Sequence, residues 1–181
     1  MNVIECTIPG PLIFEPTVFG DERGFFMETW NQAQFAAAGY DWSWVQDNHS
    51  RSQKGVLRGL HFQNPCPQGK LVRVSQGAVF DVVVDLRASS EHFGHWISAE
   101  LSAENHRMLW VPEGFAHGYL TLTDDTDFLY KCTAPYAPQF EHTLAWDDPD
   151  VGVAWPLKGL DPTISEKDGK GLALADVLAF E

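Results

Sequence analysis

Gly69-Lys-Leu-Val-Arg-Val-Ser-Gln-Gly-Ala-Val-Phe-Asp-Val-Val-Val-Asp-Leu-Arg87 holds two short β-type runs on either side of a glycine turn. The runs, 71–75 and 79–86, are rich in the β-branched residues that fit a pleated surface, and Gly77 separates them. Side chains alternate across a strand, so Phe80, Val82, Val84 and Leu86 share one face while Val79, Asp81, Val83 and Asp85 share the other. The first face is all apolar and reads as core. For the acid-bearing face two readings stand: a solvated outer surface, or the lining of an internal pocket.

Further β-type runs follow at 95–101, 108–111, 119–122 and 128–132, each bounded by turn residues. Short runs at such regular spacing point to a sandwich or barrel. Only two stretches look helical, 31–38, with Gly39 as its stop, and 171–180 at the C-terminus. Prolines at 135–138 and 149–162 mark irregular connections. With 181 residues and no repeat or linker, one domain spanning 1–181 is expected, mostly β with a few short helices.

Asp and Glu number 25 against 12 Lys and Arg, a formal charge of -13, and no basic run interrupts the excess. Nucleic acid and anionic membranes are therefore excluded as partners, although a pocket can still gather a few cations for an anionic small molecule. The N-terminal stretch lacks a basic and apolar leader, and no run reaches the roughly 18 apolar residues of a membrane span, so a cytoplasmic protein is expected. Cys6, Cys66 and Cys132 are odd in number and far apart, the pattern of reduced structural thiols.

Of seven histidines, two stand in suggestive surroundings. His61 lies in Arg58-Gly-Leu-His-Phe-Gln63, with a cation and a glycine beside a candidate base, and His117 lies in the turn-rich Pro112-Glu-Gly-Phe-Ala-His-Gly118. The second stretch resembles the second motif of the cupin superfamily and Gly59 through Gly77 a modified first motif, which implies a cupin-type jelly-roll β-sandwich. Where a metal-binding cupin places glutamate, this chain has Lys70, and its first triplet is His61-Phe62-Gln63. An ammonium replacing an anionic ligand argues for chemistry performed by side chains, with no metal.

Eight segments occur in one order: Asp21-Glu-Arg-Gly24, Gln46-Asp-Asn48, Arg58-Gly-Leu-His61, Gly69-Lys-Leu-Val-Arg-Val74, Asp81-Val-Val-Val-Asp-Leu-Arg87, Pro112-Glu-Gly-Phe-Ala-His117, Tyr130-Lys-Cys132 and Ser165-Glu-Lys-Asp168. Together they resemble the dTDP-4-dehydrorhamnose 3,5-epimerase family. The resemblance implies a cofactor-free isomerase acting on a dTDP-linked 4-keto-6-deoxy sugar, whose C3 and C5 hydrogens are acidified by the C4 ketone. It assigns His61 as the base, Asp168 as the carboxylate that orients it, Tyr130 as the proton donor, and Lys70, with His117 beside it, as the cation for the enolate. Asp81 corresponds to a pocket acid. For the substrate it further implies Arg23, Phe26, Glu28, Gln46, Asp47, Asn48, Arg58, Tyr136, Glu141 and Lys167, with Tyr136 on the thymine and the arginines on the diphosphate. It also implies a homodimer with crossing N-terminal strands. Epimerases acting at C3 alone or C5 alone share these positions, so double and single inversion both remain open here.

Overall fold

The computed structural model describes residues 1–181. In chain order its elements are β1 (Asn2–Glu5), β2 (Leu12–Glu15), β3 (Val18–Asp21), β4 (Gly24–Met27), α1 (Gln32–Ala37), β5 (Gln46–Ser52), β6 (Leu57–Gln63), β7 (Lys70–Gln76), β8 (Ala78–Asp85), β9 (Trp96–Ser102), β10 (Met108–Val111), β11 (Phe115–Thr121), β12 (Thr126–Cys132) and β13 (Glu141–Thr143). A six-stranded sheet, in the order β1-β2-β10-β7-β12-β5, faces a five-stranded one, β13-β6-β11-β8-β9, and the β3–β4 hairpin stands apart as a two-stranded sheet. The main sheets are antiparallel throughout and form a jelly roll of the cupin type. No helix is long and apolar enough to cross a membrane.

Three apolar clusters hold the sheets. Between them lie Val72, Val74, Val79, Val83, Leu101, Leu109 and Phe128. Behind the five-stranded sheet, Leu60, Phe62, Val82, Val84, Leu86 and Leu144 are covered by the C-terminal stretch through Leu174, Val177 and Phe180. Behind the six-stranded sheet, Phe14, Met108 and Trp110 pack under α1 and the tryptophans that follow it, with the Trp42 and Trp110 rings 3.9 Å apart. The helix starts where the Asn31 side chain accepts from the Gln34 amide, 3.2 Å, and stops before Gly39 at φ +94°.

Both faces of β8 are therefore buried, and the face that lies between the sheets is the one carrying the acids. Asp81 and Asp85 are each fully buried, which overturns the solvated reading of that face. Asp85 is neutralised locally, accepting from Arg87 Nε at 2.9 Å and Ser90 Oγ at 2.7 Å. The apolar face of β8 packs instead beneath the chain's end.

The helix expected at 171–180 is absent; only a 3₁₀ turn, Leu174–Asp176, forms. Its backbone groups are taken by tertiary partners: Leu172 N–H donates to Thr143, Phe180 N–H to Leu86, and Ala88 N–H to the Phe180 carbonyl. A ten-residue helix is marginal by itself, so edge pairing plus burial of three apolar side chains wins. Strand β11 begins four residues before the expected 119, because Phe115, Ala116 and His117 already pair with Asp85, Val84 and Val83.

One irregularity positions the pocket. The β6–β11 pairing shifts register between His117 and Tyr119, where a bulge interrupts the ladder. A Cβ on Gly118 would stand 2.5 Å from the Arg58 carbonyl oxygen, and one on Gly59 2.5 Å from the Gly118 Cα, so the two backbones meet where no side chain fits. Gly118→Ala should cost about 1–3 kcal/mol through forced separation of these strands, lowering Tm by several degrees in circular dichroism. An unchanged Tm would show that the strands part freely.

Candidate active site

A cleft of about 310 Å³ opens between the sheets, with Tyr119 and Phe128 of the apolar core among its lining. Strand alternation decides its walls. On β5, Gln46, Asn48 and Ser50 point inward; on β6, Arg58, His61 and Gln63; on β7, Lys70; on β11, His117 and Tyr119; on β12, Phe128 and Tyr130. Arg58 and His61 are three residues apart and would face opposite sides of a regular strand, yet both line the cleft because of the bulge.

Two histidine–carboxylate pairs stand side by side, since His117 and His61 are cross-strand neighbours. His61 Nε2 lies 2.6 Å from Asp168 Oδ1, and the carboxylate is itself held by the segment before it, where the Asp168 amide donates to Ser165 Oγ at 3.1 Å. With Nε2–H donating to the carboxylate, the lone pair sits at Nδ1. Burial lowers the imidazole below its ordinary 6.5, partly opposed by Asp168, and leaves it neutral near pH 7. For Asp168 burial pushes upward, but the hydrogen bonds of His61 and Ser165 outweigh it and hold the carboxyl below its usual value. His117 Nε2 contacts both oxygens of Asp81, at 2.9 and 3.1 Å. Burial raises the Asp81 carboxyl, while His117 and the Lys70 charge pull it back.

Lys70 makes no hydrogen bond or ion pair to the protein, and burial lowers its ammonium below the usual 10.5. Tyr130 likewise has no protein partner for its hydroxyl, and burial pushes the phenol up to about 12. It belongs to the six-stranded sheet and His61 to the five-stranded one. At the rim, Tyr136 donates to Glu141 Oε2 at 2.6 Å and Lys167 pairs with Glu141 Oε1 at 2.8 Å. Gln46 accepts from the Tyr136 amide and Gln63 from that of Ala137, which clips this loop to the cleft.

Ten of the residues singled out in the sequence thus line one cleft: Gln46, Asn48, Arg58, His61, Lys70, His117, Tyr130, Tyr136, Glu141 and Lys167. Asp81 and Asp168 stand directly behind the histidines. Asp47 does not join them: it alternates to the outer face of β5 and pairs with Lys131 Nζ at 2.7 Å. Arg23 and Phe26 are also elsewhere, on the exposed β3–β4 hairpin, where Arg23 binds Asp21 and Phe26 is 65% exposed. Glu28 follows the hairpin and accepts from Asn31 and Gln34. Ser50, Gln63, Gln68, Tyr119 and Phe128 line the cleft without having been singled out. Alternation from Gln46 and Asn48 would have found Ser50, and from His61, Gln63; Gln68 sits in a loop that carries no such signal.

A family model described as dTDP-4-dehydrorhamnose 3,5-epimerase matches residues 5–176. The chain belongs to this epimerase family. It is 52% identical over 181 residues to the dTDP-4-dehydrorhamnose 3,5-epimerase of Pseudomonas aeruginosa, and 53% over 182 residues to that of Shigella flexneri, covering 99% of each chain in both cases. Among solved structures it resembles the dTDP-6-deoxy-D-glucose-3,5-epimerase of Legionella pneumophila in complex with dTDP-4-keto-L-rhamnose, with a TM-score of 0.94 and 46% identity, over 97% of this chain and 94% of that one.

In this member of the epimerase family the His61 imidazole should titrate by NMR with a midpoint below 6.5, because burial disfavours its cation. Asp168→Asn removes the charge that favours the cation, so its midpoint should fall further. A wild-type midpoint above 6.5 would mean that the carboxylate, rather than burial, sets the site.

Proposed function

We propose that His61, Tyr130 and Lys70 carry out the epimerisation at C3 and C5 of dTDP-4-dehydro-6-deoxy-D-glucose that yields dTDP-4-dehydro-L-rhamnose. The chain is an isomerase of the 3,5-epimerase family, and the observation that carries the assignment of roles is the placement of His61 and Tyr130 on opposite sheets, facing one cleft. A sugar ring held between them presents one face to a base and the other to an acid.

His61 Nδ1 takes the proton from a carbon next to the C4 ketone, and the electron pair moves through the new C=C bond onto the C4 oxygen. Asp168 keeps the tautomer correct and favours the imidazolium that results. The growing oxyanion meets the Lys70 ammonium, which has no protein acceptor to satisfy it and works in a partly dry cleft where its charge counts for more than in water. His117, held by Asp81, stands beside it. Tyr130 then delivers its proton to the opposite face of the carbon, and the protein regains its starting state by exchange with solvent. The sum involves no net oxidation, so proton donors, acceptors and a fixed cation suffice.

Arg58 and Lys167 suit the diphosphate, since guanidinium and ammonium donors match phosphate oxygens, and Tyr136 offers its ring to the thymine. We infer a homodimer as well. The β3–β4 hairpin exposes Phe19, Phe25 and Phe26, each above 60%, around Arg23, a surface suited to burial against a second copy. Arg23, Phe26 and Glu28 would then serve the neighbouring cleft.

In D2O with dTDP-4-keto-6-deoxyglucose and no added metal or nicotinamide, the enzyme should incorporate solvent deuterium at both C3 and C5. Incorporation at one carbon alone would make it a single-centre epimerase. His61→Ala should lose about 10³-fold or more in kcat, and full activity in it would sink the assignment. Tyr130→Phe should still exchange protons while losing inversion, and Lys70→Gln should lower kcat by about 10²–10³. In the wild-type profile kcat/KM should rise with pH through a midpoint below 6.5 as His61 becomes neutral. It should fall again below 10.5 as Lys70 loses its charge, well before Tyr130 ionises near 12.

A further inference from the structure

The chain between β12 and β13 lies outside the sheets, yet it carries Tyr136 on the wall of the cleft. A segment that leaves the ladders must find other partners for its backbone groups. Four of those in 134–137 bond to glutamine side chains. The Ala134 carbonyl accepts from Gln68 Nε2 at 2.7 Å, and the Pro135 carbonyl from Gln63 Nε2 at 3.4 Å. The Tyr136 amide donates to Gln46 Oε1 at 2.8 Å, and the Ala137 amide to Gln63 Oε1 at 2.9 Å.

Gln63 alone of the three grips the segment on both sides of Tyr136. It is 4% exposed, and its amide is fixed in one sense. The oxygen must face the Ala137 N–H, while the NH2 group donates to the Cys66 carbonyl at 2.8 Å as well as to Pro135. One buried side chain thus joins the loop before β7 to the loop after β12. Both its polar atoms are engaged with backbone, so it acts on a ligand through the loop. Gln63 also stands two residues from His61 on β6 and lines the same cleft. The half-exposed Tyr136 ring is therefore held in register with the strand that carries the candidate base.

We propose that Gln63 is a positioning residue for the nucleoside end of the substrate: it fixes the 134–137 loop so that the Tyr136 ring is in place before the base arrives. The inference rests on Tyr136 serving the thymine, as proposed above. A loop ordered in advance spares the ligand the cost of ordering it. Leucine at 63 would fill similar space but leave the Ala137 N–H and the Cys66 carbonyl without partners, freeing the loop to move.

The test uses thymidine, which carries the base without phosphates, and inorganic pyrophosphate for the other end, each titrated on the full chain by NMR. Gln63→Leu should bind thymidine about 5–10-fold more weakly and pyrophosphate within about twofold of wild type. KM for the sugar nucleotide should rise by a similar factor, with kcat at saturation changed by less than about twofold. In a Tyr136→Ala background Gln63→Leu should have no further effect on thymidine, since both changes act through one ring. Gln63→Glu covers the case in which the leucine variant fails to fold. Its protonated carboxyl can still accept from Ala137 and donate to Cys66, whereas the ionised form cannot donate. Relative to wild type at the same pH, its thymidine affinity should be intact at low pH and fall as the carboxyl ionises. Unchanged thymidine affinity in Gln63→Leu, equal weakening of pyrophosphate, an undiminished effect without Tyr136, or a pH-independent glutamate variant would each overturn the proposal. Wild-type protein that binds no thymidine, or Tyr136→Ala that binds it as tightly as wild type, would remove the proposed thymine site and the inference with it, which separates the two failures.

Discussion

Where Gly59 meets Gly118 the backbones of β6 and β11 approach so closely that neither residue can carry a side chain. This contact sits at the bulge, and the bulge breaks the two-residue alternation that would otherwise send Arg58 and His61 to opposite faces of the sheet. The same stretch sets His117 across from His61, places Tyr119 between Arg58 and Asp81, and leaves Leu60 and Phe62 to the apolar layer behind. A regular β6–β11 ladder would keep the fold and scatter the site.

The cleft is held ready by groups that cost stability elsewhere in a protein. Asp81 and Asp168 are at most 3% exposed, and each survives burial because a histidine caps it. Lys70 has no such partner, and an ammonium left without an acceptor is a local destabilisation that an anion bound in the cleft would relieve. Of the carboxylates only Glu141 lines the cleft, and it is occupied by Tyr136 and Lys167. Arg58, Lys70 and Lys167 therefore make a local positive field inside a chain of net charge -13. Such a field would draw an anion to the cleft while the acidic surface around it repels one.

Much of the site was legible because chemistry restricts it to few residue types. Histidine beside glycine at 61, lysine where a metal ligand would stand at 70, and the ordered motifs up to Asp168 brought together ten residues that do line one cleft. Asp47 was misread because a motif lists neighbours, whereas a strand sends neighbours to opposite faces. Gln68 escaped notice because it sits in the loop before β7, where neither strand alternation nor a motif points to the cleft.

By itself the sequence determined the β character, most of the turn positions, the candidate residues for a proton-transfer centre and the family. These follow from local preferences, side-chain chemistry and ordered spacing, all of which are properties of the chain read in one dimension. Only the tertiary structure decided which face of β8 met the interior, that the segment 171–180 would pair with the sheet edge instead of coiling, and that a bulge would turn Arg58 and His61 the same way. The reason is common to all three. Burial on both faces, backbone partners from distant segments and the close contact of two glycines depend on what packs against a strand, and no local pattern contains that.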